Sequence, residues 1–135
     1  MNIRDYNEAD LERVNEILKE SFDVEKKNFN DSKFHEIVAC VDNKVVGYLL
    51  LTMVNNPIKD RFYYLVDYVC VDSNYRGLGV GKRLLQYAED IAKDDKAMYL
   101  QLTCSRFREA AHKLYESSGY IKRDSDIFRK ELVWY

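Results

Sequence analysis

The chain has 135 residues, 47% hydrophobic and 33% charged, with a net charge of −2. That is the balance of a soluble globular protein with room for one core, so residues 1–135 read as a single domain. No basic excess is available for nucleic acid or an anionic membrane surface, and the acidic balance leans toward a cationic partner such as an amine.

The opening "MNIRDYNEAD" carries early acids and no apolar core, so no signal peptide is expected, and no run reaches membrane-spanning length. Cys40, Cys70 and Cys104 are odd in number, widely spaced and free of any C-x-x-C pair. They read as small buried hydrophobes in a reducing cytoplasm, with neither zinc nor a disulfide framework.

After a first strand, Leu11, Val14, Ile17, Leu18 and Phe22 recur at helical spacing, with Asn7 as the N-cap. "DVEKKNFNDSK" is polar and irregular. "FHEIVACV" and "KVVGYLLLTMV" then form a β-hairpin around "DNK", and "NNPIKD" holds the only proline in a surface loop. "RFYYLVDYVCV" (Arg61–Val71) is an aromatic and β-branched strand. Val80, Leu84, Leu85, Ala88, Ile91 and Ala92 mark one face of a second helix. "AMYLQL" is a further strand, and Phe107 to Tyr115 is a last helix that Gly119 ends in a left-handed residue. "YIKRDSDIFRKEL" closes the chain as a β-hairpin. The fold class is therefore α/β, a central mixed sheet covered by helices.

Between the third long strand and its helix lies "YRGLGVGKRLL", with three of the five glycines, Gly77, Gly79 and Gly81, at alternate positions. A Walker A loop fails here, because Arg76 stands where its first glycine belongs and Arg83 where its Ser or Thr belongs. The dinucleotide fingerprint fails too, since its third glycine falls on Lys82. What remains is a strand–loop–helix in which glycine frees the backbone and a helix N-terminus offers unpaired amides to phosphate. Arg76 and Lys82 bracket it with two cations.

"VDYVCVDSNYRGLGVGKRLL" resembles the acetyl-CoA signature of the GNAT superfamily of N-acetyltransferases, R/Q-x-x-G-x-G/A, with Arg76, Gly79 and Gly81 at its fixed positions. "AAHKLYESSGY" (Ala110–Tyr120) is similar to the family's second recurring segment, and the element order matches the GNAT fold along almost the whole chain. "CSRFREAAHKLYESSGY" with the late "FRKEL" is most similar to small-molecule amine acetyltransferases of the aminoalkylphosphonate and aminoglycoside types.

The resemblance implies a mostly antiparallel mixed sheet, splayed at the cofactor site by a bulge in the strand before the loop. It implies acetyl-CoA as cosubstrate and no metal. The pyrophosphate falls to Arg76 and the amides of Gly77, Leu78, Gly79, Val80, Gly81 and Lys82, and the pantetheine arm to the strand end at Val69, Cys70 and Val71. Arg108 stands where the family usually has an asparagine, with Ser105 slightly earlier, and both are assigned to the cofactor. Tyr115 matches the general acid that protonates the departing thiolate.

Asp67 is the only acid inside an otherwise apolar strand, and simple alternation puts it on the face of Val69 and Val71. There it could accept the amine's proton, directly or through water, or attract an ammonium substrate; the competing reading is a sheet-edge acid paired with a lysine. His35 and His112 invite base roles as the chain's two imidazoles but read first as partly buried histidines bonded to neighbours.

The expected activity is cytoplasmic acetyl transfer to the primary amine of a small molecule. A protein N-terminal or lysine acetyltransferase is an alternative, and so is a non-catalytic acyl-CoA-binding module. The aromatic-rich sheet and the terminal "LVWY" suit a homodimer.

Overall fold

The computed structural model describes residues 1–133. Five strands, β1 (Asn2–Asp5), β2 (Phe34–Val41), β3 (Lys44–Asn56), β4 (Arg61–Val71) and β5 (Leu100–Gln101), lie side by side in chain order. The first four are antiparallel, and β5 runs parallel to β4. Helices α1 (Leu11–Phe22), α2 (Val80–Asp94) and α3 (Glu109–Ser117) complete the mixed α/β architecture that the sequence implies.

Apolar residues on both faces of the central strands explain why helices cover both sides. Val14, Ile17 and Leu18 of α1 pack on Val38, Cys40, Val45, Tyr48 and Cys70. On the other face, Leu84, Leu85 and Ala88 of α2 pack on Ile37, Ala39, Leu49, Leu51, Tyr64 and Val66. Gly47 lets α2 sit close to the sheet: a Cβ there would lie 3.0 Å from both Leu84 and Val80. Tyr64 donates its hydroxyl to Asp95 at 2.5 Å, tying the far end of α2 to β4.

Local signals hold where the chain is locally determined. Asn7 caps the 3₁₀ turn that leads into α1 and forms a capping box with Asp10. Asp42 and Asn43, both at positive φ (49° and 64°), make the two-residue turn between β2 and β3. Gly119, at φ 90°, follows α3. No helix among the described residues is long and apolar enough to cross a membrane.

Two expectations are corrected. The β5 ladder covers Leu100 and Gln101 rather than the whole of "AMYLQL"; ahead of it the Met98 amide donates to the Phe62 carbonyl at 2.8 Å and the Tyr64 amide to the Tyr99 carbonyl at 3.1 Å. The terminal hairpin does not form: beyond Gly119 the described residues have no regular secondary structure, and every residue from 121 to 133 is exposed. No described residue of the segment is buried against the sheet, and an isolated two-stranded hairpin is marginal in water. Of "LVWY", Trp134 and Tyr135 lie outside the described residues.

Leu84 is fully buried between α2 and the sheet. Leu84→Ala should lower unfolding stability by about 2–5 kcal/mol, the usual cost of a core cavity. Urea denaturation followed by circular dichroism measures it, and a loss well under that range would mean the α2 interface repacks.

Candidate active site

The end of β4 is shaped by one irregularity. Tyr68 has φ 53°, and the β3 register slips there, with Leu50 opposite Asp67 but Tyr48 opposite Cys70. Two residues of β4 therefore face one of β3, which is a β-bulge and inverts the alternation beyond it. Val66 before the bulge and Val69 and Val71 after it all pack with the α2-side cluster, and Cys70 packs with α1. Asp67 shares the α1 side with its partner Leu50. The expectation that Asp67 lies on the face of Val69 and Val71 is thus wrong, because the extra residue resets the period.

The β4–β5 ladder stops at Leu65, ahead of the bulge, and a cleft of about 340 Å³ lies beyond it. Its walls include Asp67, Tyr68 and Val69 from β4, Thr103, Cys104 and Ser105 after β5, Arg108 and Tyr115 of the α3 region, and Phe22 at the end of α1. Asp67 and Tyr115 thus meet in one cavity although 48 positions separate them (115 − 67). Cys70 and Val71 do not line it; the Cys70 thiol is buried in the core, and that burial pushes it up to about 12.

Burial raises the Asp67 carboxyl above the usual carboxylate range. Among the described residues it has neither an ion pair nor a side-chain hydrogen bond, and its strand lies inside the sheet, which removes the reading of an edge acid paired with lysine. The half-buried Tyr115 phenol is pushed up to about 12 by burial, with Cys104 adding to the rise and Arg108 opposing it. It stays protonated at neutral pH and has no side-chain hydrogen-bond partner among the described residues. Its ring meets Tyr120 edge-on at 6.0 Å.

Arg108 precedes α3 and places its guanidinium 4.9 Å from the centre of the Phe22 ring. With no asparagine to cap α3, the Ser105 hydroxyl accepts from the Phe107 amide at 3.4 Å. Neither histidine lines the cleft. His112 Nε2 is 2.9 Å from the Ser105 carbonyl, and His35 packs against the Tyr64 ring on the α2 side.

The glycine loop follows directly. Gly77 and Gly79 take φ of 77° and 82°, values that side-chain-bearing residues seldom adopt, and nothing lies within 4 Å of where their Cβ atoms would be. Gly79 is the N-cap of α2, so the first-turn amides of α2 have no intrahelical acceptors. Gly81 serves another purpose: a Cβ there would sit 3.0 Å from Leu114, so this glycine admits α3. The exposed backbone, the open amides and the exposed Arg76 and Lys82 form a donor set that fits an anionic pyrophosphate.

Sequence reasoning missed how α1 holds this loop. Glu20 accepts from the Ser73 amide at 2.9 Å and from its hydroxyl at 3.0 Å, and it reaches Arg76 at 3.8 Å. Arg76 Nε also donates to the Val71 carbonyl at 3.3 Å. Arg13 pairs with the buried Asp72, whose carboxyl is held low by the Asn74 amide and by Arg13. Among the described residues no group of three or more His, Cys, Asp or Glu could hold a metal ion.

Residues 3–120 match the model of the acetyltransferase (GNAT) family. The chain belongs to that family. The catalytic subunit of the N-terminal acetyltransferase B complex of Arabidopsis thaliana, NAA20, is 32% identical over 94 residues, covering 69% of this chain and 50% of that protein. Human N-acetyltransferase 8B is 29% identical over 97 residues, 72% of this chain and 41% of that one. The chain thus spans half or less of these curated relatives. Among solved structures, a ribosomal-protein-alanine N-acetyltransferase from Brucella melitensis superposes with a TM-score of 0.82 at 21% identity, covering 97% of this chain and all of that one. It shares the GNAT fold.

Two outcomes follow for the site. Asp67→Asn removes a carboxylate whose folded pKa lies above its unfolded value, so the parent loses stability as pH rises through that folded value. The variant should be the more stable protein at neutral pH, with the difference shrinking on acidification, while its activity falls; denaturation midpoints across pH read the first and initial rates the second. Gly79→Val forces a branched side chain into left-handed backbone and should impair acetyl-CoA binding with the core intact. Calorimetry on the folded variant checks it, and unchanged affinity would remove the loop from the cofactor site.

Proposed function

We propose that this GNAT protein transfers an acetyl group from acetyl-CoA to the primary amine of a small-molecule acceptor. One observation supports the reading: a carboxyl, Asp67, and a phenol, Tyr115, both line the β4–β5 cleft of about 340 Å³. That volume is of small-ligand size.

Acetyl-CoA, when bound, supplies a thioester whose carbonyl carbon takes the amine nitrogen while its C–S bond breaks. Arg76 and the amides of Gly77 to Lys82 hold the pyrophosphate, and the backbone at Val69 orients the arm. Asp67 takes a proton from the incoming ammonium, directly or through water, and its raised pKa makes it a better base than a solvated carboxylate. Tyr115, protonated at neutral pH, first donates a hydrogen bond to the departing sulfur and then gives up its proton, which solvent restores. Ser105 and Arg108 line the same cleft and contact the cofactor.

A second acceptor class, a protein N-terminus, is favoured by the similarity to the NAA20 subunit. The deciding experiment incubates the protein with acetyl-CoA and a panel of small amines and N-terminal peptides while free thiol is followed. Small amines should turn over best; peptides turning over faster would move the acceptor to that class. Binding of acetyl-CoA with no thiol release from any acceptor would mark a non-catalytic module.

Tyr115→Phe keeps the ring and deletes the hydroxyl. It should lower kcat by about 10²–10⁴-fold with near-normal acetyl-CoA affinity. Parental turnover, at a pH where chemistry limits the rate, would leave Tyr115 a packing residue.

A further inference from the structure

The β4–β5 cleft holds two opposite charges that do not neutralise each other. Among its lining residues Asp67 is the one carboxyl and Arg108 the one cation, and Phe22, Val69, Ala111 and Leu114 supply apolar wall. No ion pair joins the two among the described residues, and burial alone moves the Asp67 carboxyl, with Arg108 taking no part. Arg108 has no carboxylate partner elsewhere among the described residues either. Its guanidinium rests 4.9 Å from the centre of the Phe22 ring and donates Nη2 to the Ser21 carbonyl at 3.5 Å. Those contacts tie it to the end of α1 and leave donors of the fork open. Its charge is felt inside the cleft, where it opposes the rise that burial imposes on Tyr115 and on Cys104. A carboxylate and a guanidinium in one partly closed space therefore each lack a counter-charge.

We propose that the acceptor is a short zwitterion, with its ammonium on Asp67 and its anionic group on Arg108. This rests on the reading of a small-amine acceptor and names its class. Each end of such a molecule brings the counter-charge that the protein leaves out. A guanidinium fork grips a carboxylate and a phosphonate alike, so the shared chemistry is an oxyanion. A simple alkylamine would leave Arg108 facing a bare hydrocarbon chain, and a diamine would set a second ammonium against it. A peptide N-terminus offers a neutral amide where the oxyanion belongs. The cleft of about 340 Å³ also receives the end of the pantetheine arm, so only a few carbons separate the two charges.

The test follows thiol release at saturating acetyl-CoA. β-Alanine and γ-aminobutyrate are compared with their own amides, which lack the anion, and with 2-aminoethylphosphonate, which tells one oxyanion from the other. The favoured oxyanion should exceed its neutral amide in kcat/KM by about 10–100-fold, the scale of a charge-assisted contact. Arg108→Gln should bring that ratio close to one, and Arg108→Lys should keep part of it. A weakened cofactor contact acts on acid and amide alike and cancels in the ratio. In labelled protein the Arg108 Nε resonance should shift on adding the favoured zwitterion and stay in place with the amide. Equal turnover of acids and amides overturns the proposal and leaves a small-amine acceptor standing, as does a preference that survives Arg108→Gln. Thiol release with peptides and with none of these amines removes the small-molecule acceptor itself, and the zwitterion with it.

Discussion

The cleft depends on one additional residue in β4. With Tyr68 in left-handed backbone, β4 carries two residues opposite one of β3, and everything beyond it is rotated by one position. Tyrosine gains nothing from that conformation, which costs of order 1–3 kcal/mol and survives only where its surroundings over-determine it. Here the surroundings are the Phe22 ring, set edge-on to Tyr68 at 5.4 Å, and the core on both faces of the strand. Without the bulge, simple alternation would run on past Asp67, and Val69, Cys70 and Val71 would each change faces.

Burial then acts on both functional groups in the same direction. Each has its neutral form favoured, the carboxyl by loss of solvation and the phenol likewise, so the cleft holds a carboxyl with a raised pKa and a phenol that keeps its proton. Neither value comes from an engineered ion pair. Arg108 counters the rise at Tyr115, and its guanidinium lies 4.9 Å from the centre of the Phe22 ring.

What the sequence reveals, and what it hides, divides along the reach of the forces involved. Asn7, the Asp42–Asn43 turn, Gly119 and the glycine loop declare themselves because each answers a local backbone need. The helices declare themselves through the spacing of Val14, Ile17 and Leu18 or of Leu84, Leu85 and Ala88. The bulge at Tyr68 is silent, since no glycine or asparagine advertises it, and the side taken by Asp67 was misjudged for that reason. Glu20 is silent as well: an exposed helical glutamate gives no hint that it caps a turn 53 residues away. The terminal segment shows the converse, a strand pattern carried by exposed residues that have no regular secondary structure.

The clasp between α1 and the glycine loop has a dynamic consequence. Arg13 and Glu20 fasten the N-terminal helix to Asp72, Ser73 and Arg76, so neither α1 nor the loop can open without breaking contacts that belong to the other. The two should therefore exchange amide hydrogens as one cooperative unit, though β2, β3 and β4 lie between them in sequence. A ligand that orders the loop slows exchange in α1 as well, and the helix reports occupancy of a site to which it contributes little more than the Phe22 ring.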